Sequence, residues 1–104
     1  MFFIKYFFKK INKKMDISEK INKNRIVILS KKDCIYCEKL INFLNLRGEE
    51  FLVIKCDEYL SDSITKESFL NNMKEIIGEE YRKFPMCFID GKFTGGYSNS
   101  ITYF

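Results

Sequence analysis

The sequence predicts an α/β domain in which a central four-stranded mixed sheet carries helices on both faces. Three observations predict it. Short apolar runs rich in β-branched residues alternate with longer segments of helical period, giving the order α-β-α-β-α-β-β-α. The last two strands are joined by the tight turn Asp90-Gly91, a hairpin signal, whereas the earlier strands are separated by helices. At 104 residues, with 46% hydrophobic and 31% charged residues, the chain is long enough for one real core and has ordinary globular composition.

Each element has its own local signal. Residues 16–24 are polar with Ile17 and Ile21 four apart, a short helix with Asp16 or Ser18 as its cap. Residues 25–29 form the first strand. After the cysteines at 34 and 37, Leu40, Ile41, Phe43 and Leu44 recur three and four apart, a helix reaching about Arg47 and stopped by Gly48. Residues 51–54 are a continuous apolar strand. Residues 62–77 are a helix with Ile64, Phe69, Met73, Ile76 and Ile77 on its buried side, ended by Gly78. Residues 86–89 and 92–94 form the hairpin. Ser98 and Asn99, after two glycines, read as the cap of a last helix of at most seven residues, with Ile101, Tyr103 and Phe104 sealing the sheet edge.

The chemistry concentrates at Cys34-Ile35-Tyr36-Cys37, between the first strand and the helix after it. A thiol at a helix start meets unpaired N–H groups and the positive end of the helix dipole, which favour a thiolate. Lys31 and Lys32 add positive charge, and Cys37 lies one turn on, within reach of a disulfide formed at Cys34. A zinc site needs a second ligand pair; Cys56 and Cys87 are isolated from each other and the chain has no histidine. Four cysteines in 104 residues are too few for a disulfide-dense secreted scaffold. Thiol–disulfide chemistry is the leading reading of the pair.

The net charge of +4 is unevenly placed. Residues 1–14 hold five lysines and no acid, so the remaining 90 residues sum to −1, and a broad basic face for nucleic acid is not expected. We divide the chain into a basic aromatic N-terminal extension, 1–14, and a domain, 15–104. The extension is interrupted by Lys5, is too short to span a bilayer, and lacks the order of a signal peptide. Ile4, Phe7, Phe8 and Ile11 could line one face of a basic amphipathic helix, so a membrane surface is a partner only if the extension is retained. The preferred reading is a disordered extension, or residues upstream of a start at Met15.

Three spaced motifs narrow the reading: Cys34-Ile35-Tyr36-Cys37, Phe84-Pro85, and the stretch from Phe88-Ile89-Asp90-Gly91 through Gly95-Gly96-Tyr97-Ser98-Asn99. Over residues 17–99 the chain resembles the glutaredoxins, dithiol members of the thioredoxin-like fold. Thioredoxin itself fits worse, since its site carries a tryptophan and a glycine-proline pair. The resemblance implies that the Phe84–Pro85 bond is cis and lies against Cys34, and that the Phe84 main chain pairs with an extended peptide-like ligand. It implies that Gly96, Ser98 and Asn99 receive the γ-glutamyl end of glutathione. Lys31 binds its glycine carboxylate, Arg82 joins Lys31, and Tyr36 flanks the sulfur. Lys32 and Lys83 are read as solvated surface, Phe93 and Tyr97 as packing or rim, and Cys56 and Cys87 as small core residues.

The activity implied is glutathione-dependent reduction of protein disulfides and glutathione mixed disulfides, with Cys34 as nucleophile, Cys37 as resolving thiol and glutathione as co-substrate. The expected enzyme is a cytoplasmic monomer whose partners are glutathione and oxidised or glutathionylated proteins, with no nucleic acid. Three departures from the family stand out: Ile35 where proline is common, Asn99 where aspartate is usual, and a short last helix. Ile35 motivates the alternative, a dimer bridged by a [2Fe–2S] cluster on Cys34 of each subunit with glutathione, acting as an iron–sulfur carrier or redox sensor.

Overall fold

The structure, a computed structural model, describes residues 13–104. All of the N-terminal extension except its last two residues therefore lies outside the described residues. The first helix, α1, spans Lys13–Lys23 and starts three residues earlier than expected. Asp16 and Ser18 are accordingly inside it and not at its cap; the Asp16 carboxylate pairs with Lys20 one turn on, at 3.4 Å. Ile17 and Ile21 are its buried stripe.

Four strands follow in the expected order: β1 (Ile26–Ser30), β2 (Leu52–Lys55), β3 (Met86–Ile89) and β4 (Lys92–Gly95). They lie in the sheet as β2-β1-β3-β4, a mixed sheet. The β1–β2 pair is parallel because helix α2 (Ile35–Leu46) crosses between them. The pairs β1–β3 and β3–β4 are antiparallel. β1 is buried at every residue, as an internal strand covered on both faces must be. Its alternation divides the core. Val27 and Leu29 join Ile17, Ile21, Phe69, Leu70, Met73, Met86 and Phe88 on the face of α1 and α3 (Ser63–Ile77). Ile26 and Ile28 join Leu40, Leu44 and Cys87 on the other face.

Helix α3 differs from expectation in one residue. Ile64 is 82% exposed, while Phe69, Leu70 and Met73 are buried and Ile76 and Ile77 half-buried. Ile64 and Met73 are nine residues apart, which places them on opposite sides of a helix of 3.6-residue period. The last helix, α4, is Tyr97–Ser100, extended by a 3₁₀ turn at Ile101–Tyr103. Its N-cap position is Gly96, with no side-chain cap, so Ser98 and Asn99 lie within the helix with exposed side chains. Ile101 and Phe104 lean on the second core cluster, but Tyr103 is 62% exposed and seals nothing. The inward residue is Ser100, whose hydroxyl bonds that of Thr94 at 2.8 Å and the Gly95 carbonyl at 3.3 Å. Among the described residues no helix is long and apolar enough to cross a membrane.

Candidate active site

The site begins where β1 ends. The turn after Ser30 needs Asp33 in the left-handed region, φ 56°, a conformation a short polar side chain tolerates. Two bonds hold this turn against the start of the 3₁₀ turn Asp57–Leu60: the Lys32 N–H donates to the Asp57 carboxylate at 2.8 Å, and the Cys56 N–H to the Ser30 carbonyl at 2.8 Å. Cys34 then takes extended backbone as the N-cap of α2, and its sulfur accepts the Cys37 N–H at 3.3 Å. That is the thiol at a helix start which the spacing predicted. Cys34 and Cys37 are joined in a disulfide, their Cα atoms 5.3 Å apart. Neither residue is widely open: Cys34 is 8% exposed and Cys37 2%.

Two other segments are tied to this corner. The Lys31 ammonium sits 5.8 Å above the Phe84 ring, so the lysine before the cysteines is carried onto the proline loop. The Phe84–Pro85 bond is cis, as expected. Phe84 stacks on Phe69 of α3, which anchors the loop to the core. Tyr36, 56% exposed, lies 5.9 Å from the Tyr97 ring, with the Lys39 ammonium 5.5 Å above it. The first turn of α2 thereby touches the first residue of α4, and Tyr97 is a rim residue. Phe93, partly buried, packs on Phe88 and Tyr81 against the core.

The double glycine divides into two requirements. Gly95 has φ 103°, which a side chain tolerates poorly, and a Cβ there would meet the Asn99 side chain at 3.0 Å. Gly96 has an ordinary backbone, and a Cβ would lie 3.7 Å from the Pro85 carbonyl oxygen. Gly96 and the proline loop are therefore neighbours. Arg82 has acidic partners of its own. Glu67 of α3 accepts from both of its terminal nitrogens and Glu80 lies 3.5 Å away, so the guanidinium is already engaged. Hydrogen bonding from Arg82 holds the Glu67 carboxyl below its ordinary value.

Sequence reasoning passed over Glu67, whose role exists only because α3 and the proline loop meet in space. It also passed over Tyr81, which lies in an irregular loop without periodicity. An apolar groove of about 320 Å³, lined by Ile17, Tyr59, Ile64 and Phe69 among others, includes none of the residues around the cysteines. This groove and the chemistry do not coincide.

A redox-active Cys-x-x-Cys at a strand-to-helix junction, beside a cis-proline loop on this sheet order, defines a thioredoxin-like thiol–disulfide oxidoreductase. The glutaredoxin family model matches residues 26–94. A glutaredoxin from Vernicia fordii is 35% identical over 78 residues, covering 75% of this chain and 69% of the relative. Oxidised glutaredoxin 2 from Chlamydomonas reinhardtii aligns with a TM-score of 0.66 at 26% identity, over 89% of this chain and 82% of that one. A buckwheat glutaredoxin–glutathione complex aligns with a TM-score of 0.68 at 22% identity, over 86% and 76%. The chain belongs to the glutaredoxin family, and its activity is glutathione-dependent thiol–disulfide oxidoreduction through Cys34 and Cys37.

Proposed function

We propose that glutathione lies between the Lys31 corner, the Phe84–Pro85 loop and the segment Gly96 to Asn99, with its sulfur at Cys34 and Tyr36 beside it. The observation that carries this reading is the ring and main-chain contact among these segments: Lys31 over Phe84, Gly96 beside the Pro85 carbonyl, and Tyr36 against Tyr97. The buckwheat protein of similar fold, a complex with glutathione, supports it.

The chemistry balances in two routes. The Cys34 thiolate attacks the glutathione sulfur of a mixed disulfide, forming a Cys34–glutathione bond while the substrate thiolate departs and takes a proton. A second glutathione thiolate attacks that sulfur, giving glutathione disulfide and restoring the Cys34 thiolate. With a protein disulfide, Cys34 forms the mixed disulfide and Cys37 attacks the Cys34 sulfur. The protein dithiol is released and the Cys34–Cys37 bridge of this structure remains. Two glutathiones then reduce it. The helix-start N–H groups stabilise Cys34 both as nucleophile and as leaving group. Because the reaction consumes reduced glutathione, we place it in the cytoplasm, acting as a monomer on glutathionylated or disulfide-bonded proteins.

No observation favours the cluster-bridged alternative.

The test is glutathione-dependent reduction of a small glutathione mixed disulfide. Cys34→Ser should abolish turnover, while Cys37→Ser should retain it, since only the protein-disulfide route needs Cys37. Loss of this activity in Cys37→Ser would contradict the assignment of the two thiols. The engaged state of Arg82 makes a second expectation. Lys31→Ala should raise KM for the mixed disulfide more than Arg82→Ala does, by about threefold or more. Equal effects would return Arg82 to the ligand's path.

A further inference from the structure

Tyr81 belongs to none of the motifs, yet it links two of them. It precedes Arg82 in the loop between α3 and β3, four residues before Pro85. Its ring meets Phe93 of β4 edge-on, with centroids 4.8 Å apart. Its hydroxyl reaches Gly96, where a Cβ would come within 2.9 Å of the Tyr81 Oη. The other atom near that position is the Pro85 carbonyl oxygen at 3.7 Å, an ordinary contact. The Gly96 backbone is extended, φ −89° and ψ −156°, with φ outside the left-handed region. Conformation therefore demands a glycine at 95, whereas at 96 the nearest protein atom that a side chain would meet is the Tyr81 hydroxyl.

We infer that Tyr81 is a positioning residue that sets the width of the ligand cleft through its contact with Gly96. The ring on Phe93 fixes one end and the hydroxyl on Gly96 the other. Together they hold the loop carrying Phe84 and Pro85 at a set distance from the β4–α4 junction carrying Gly96, Tyr97 and Ser98. Burial raises the phenol above its ordinary value, so the hydroxyl is neutral throughout the working range. This inference rests on the proposed docking of glutathione between those two segments.

Four variants test it in the mixed-disulfide assay, with KM, kcat and Tm measured for each. Gly96→Ala forces the hydroxyl aside and should raise KM by roughly threefold to tenfold, with kcat within about twofold. Adding Tyr81→Phe removes the atom in conflict and should return KM most of the way. Tyr81→Phe alone keeps the ring on Phe93 but removes the atom that abuts Gly96, and should raise KM by about twofold or more at an unchanged Tm. That variant decides the matter if Gly96→Ala does not fold. An unchanged KM in Tyr81→Phe, or no recovery in the double variant, overturns the role of Tyr81. Lys31→Ala separates the two levels: an unchanged KM there overturns the docking itself, whereas a raised KM leaves any failure with Tyr81.

Discussion

The four cysteines show how much position decides at the scale of a residue. Cys34 caps a helix at the rim, whereas Cys56 and Cys87 are fully buried. Burial, with Asp57 adding to it, pushes the Cys56 thiol up to about 12, and its sulfur donates to the Ile54 carbonyl at 3.6 Å. Burial likewise raises Cys87, although hydrogen bonding from Thr94 and Ser100 offsets part of it. Neither is a thiolate near neutral pH, and neither is reachable. In the reduced protein, iodoacetamide at neutral pH should therefore label Cys34 first, and Cys56 and Cys87 only on unfolding. Peptide mapping by mass spectrometry reads this directly. Early labelling of Cys56 or Cys87 in the folded protein would contradict their place in the core.

At the scale of the element, α3 is held at both ends by local chemistry that its own sequence supplies. Asp62 caps it, accepting from the Thr65 N–H at 2.8 Å and the Thr65 hydroxyl at 3.1 Å. Gly78 ends it in the left-handed region, with its N–H on the Lys74 carbonyl. The Thr65 N–H, then its hydroxyl, hold the Asp62 carboxyl below its ordinary value of 3.8. The sign follows from the depressed folded value. The capping contribution is fully present above the unfolded value and is lost as pH falls through the folded one. Asp62→Ala should therefore lower Tm at neutral pH, and its gap to the parent should close as pH is taken below 3.8. Asp62→Asn, which keeps an acceptor, should recover stability without the pH dependence. Thermal scans from pH 7 downward check both, and a gap independent of pH would sink the capping account.

For the whole molecule, one buried sheet carries two cores, and β1 belongs to both. Met73 packs on one face and Leu40 on the other, each with no exposed surface. Met73→Ala and Leu40→Ala should each cost about 2–5 kcal/mol, since a cavity remains beside the lost contacts. Because β1 joins the faces, denaturation of either variant should remain a single transition. Two resolved transitions would mean that the faces unfold separately. The same arrangement positions the site: the end of β1 delivers Cys34, and β3 and β4 deliver the proline loop and Gly96 to the same region.

Local sequence set the element order, the mixed sheet, the helix end at Gly78, and the thiol pair at a helix start, whereas the Asp62 cap emerged only in the structure. Each of the former depends on neighbours a few residues away, through period, turn chemistry or capping. The proline loop and double glycine were legible as motifs for the same reason. Boundaries moved by one to three residues, and Ile64 left the core, because tertiary burial chooses which part of a periodic segment is covered. Only the fold decided who meets whom. Glu67 reaches Arg82 across 15 positions, and Tyr81 reaches Gly96 across as many. Such encounters depend on how α3, the proline loop and β4 are brought together, and no local pattern in the chain encodes that distance.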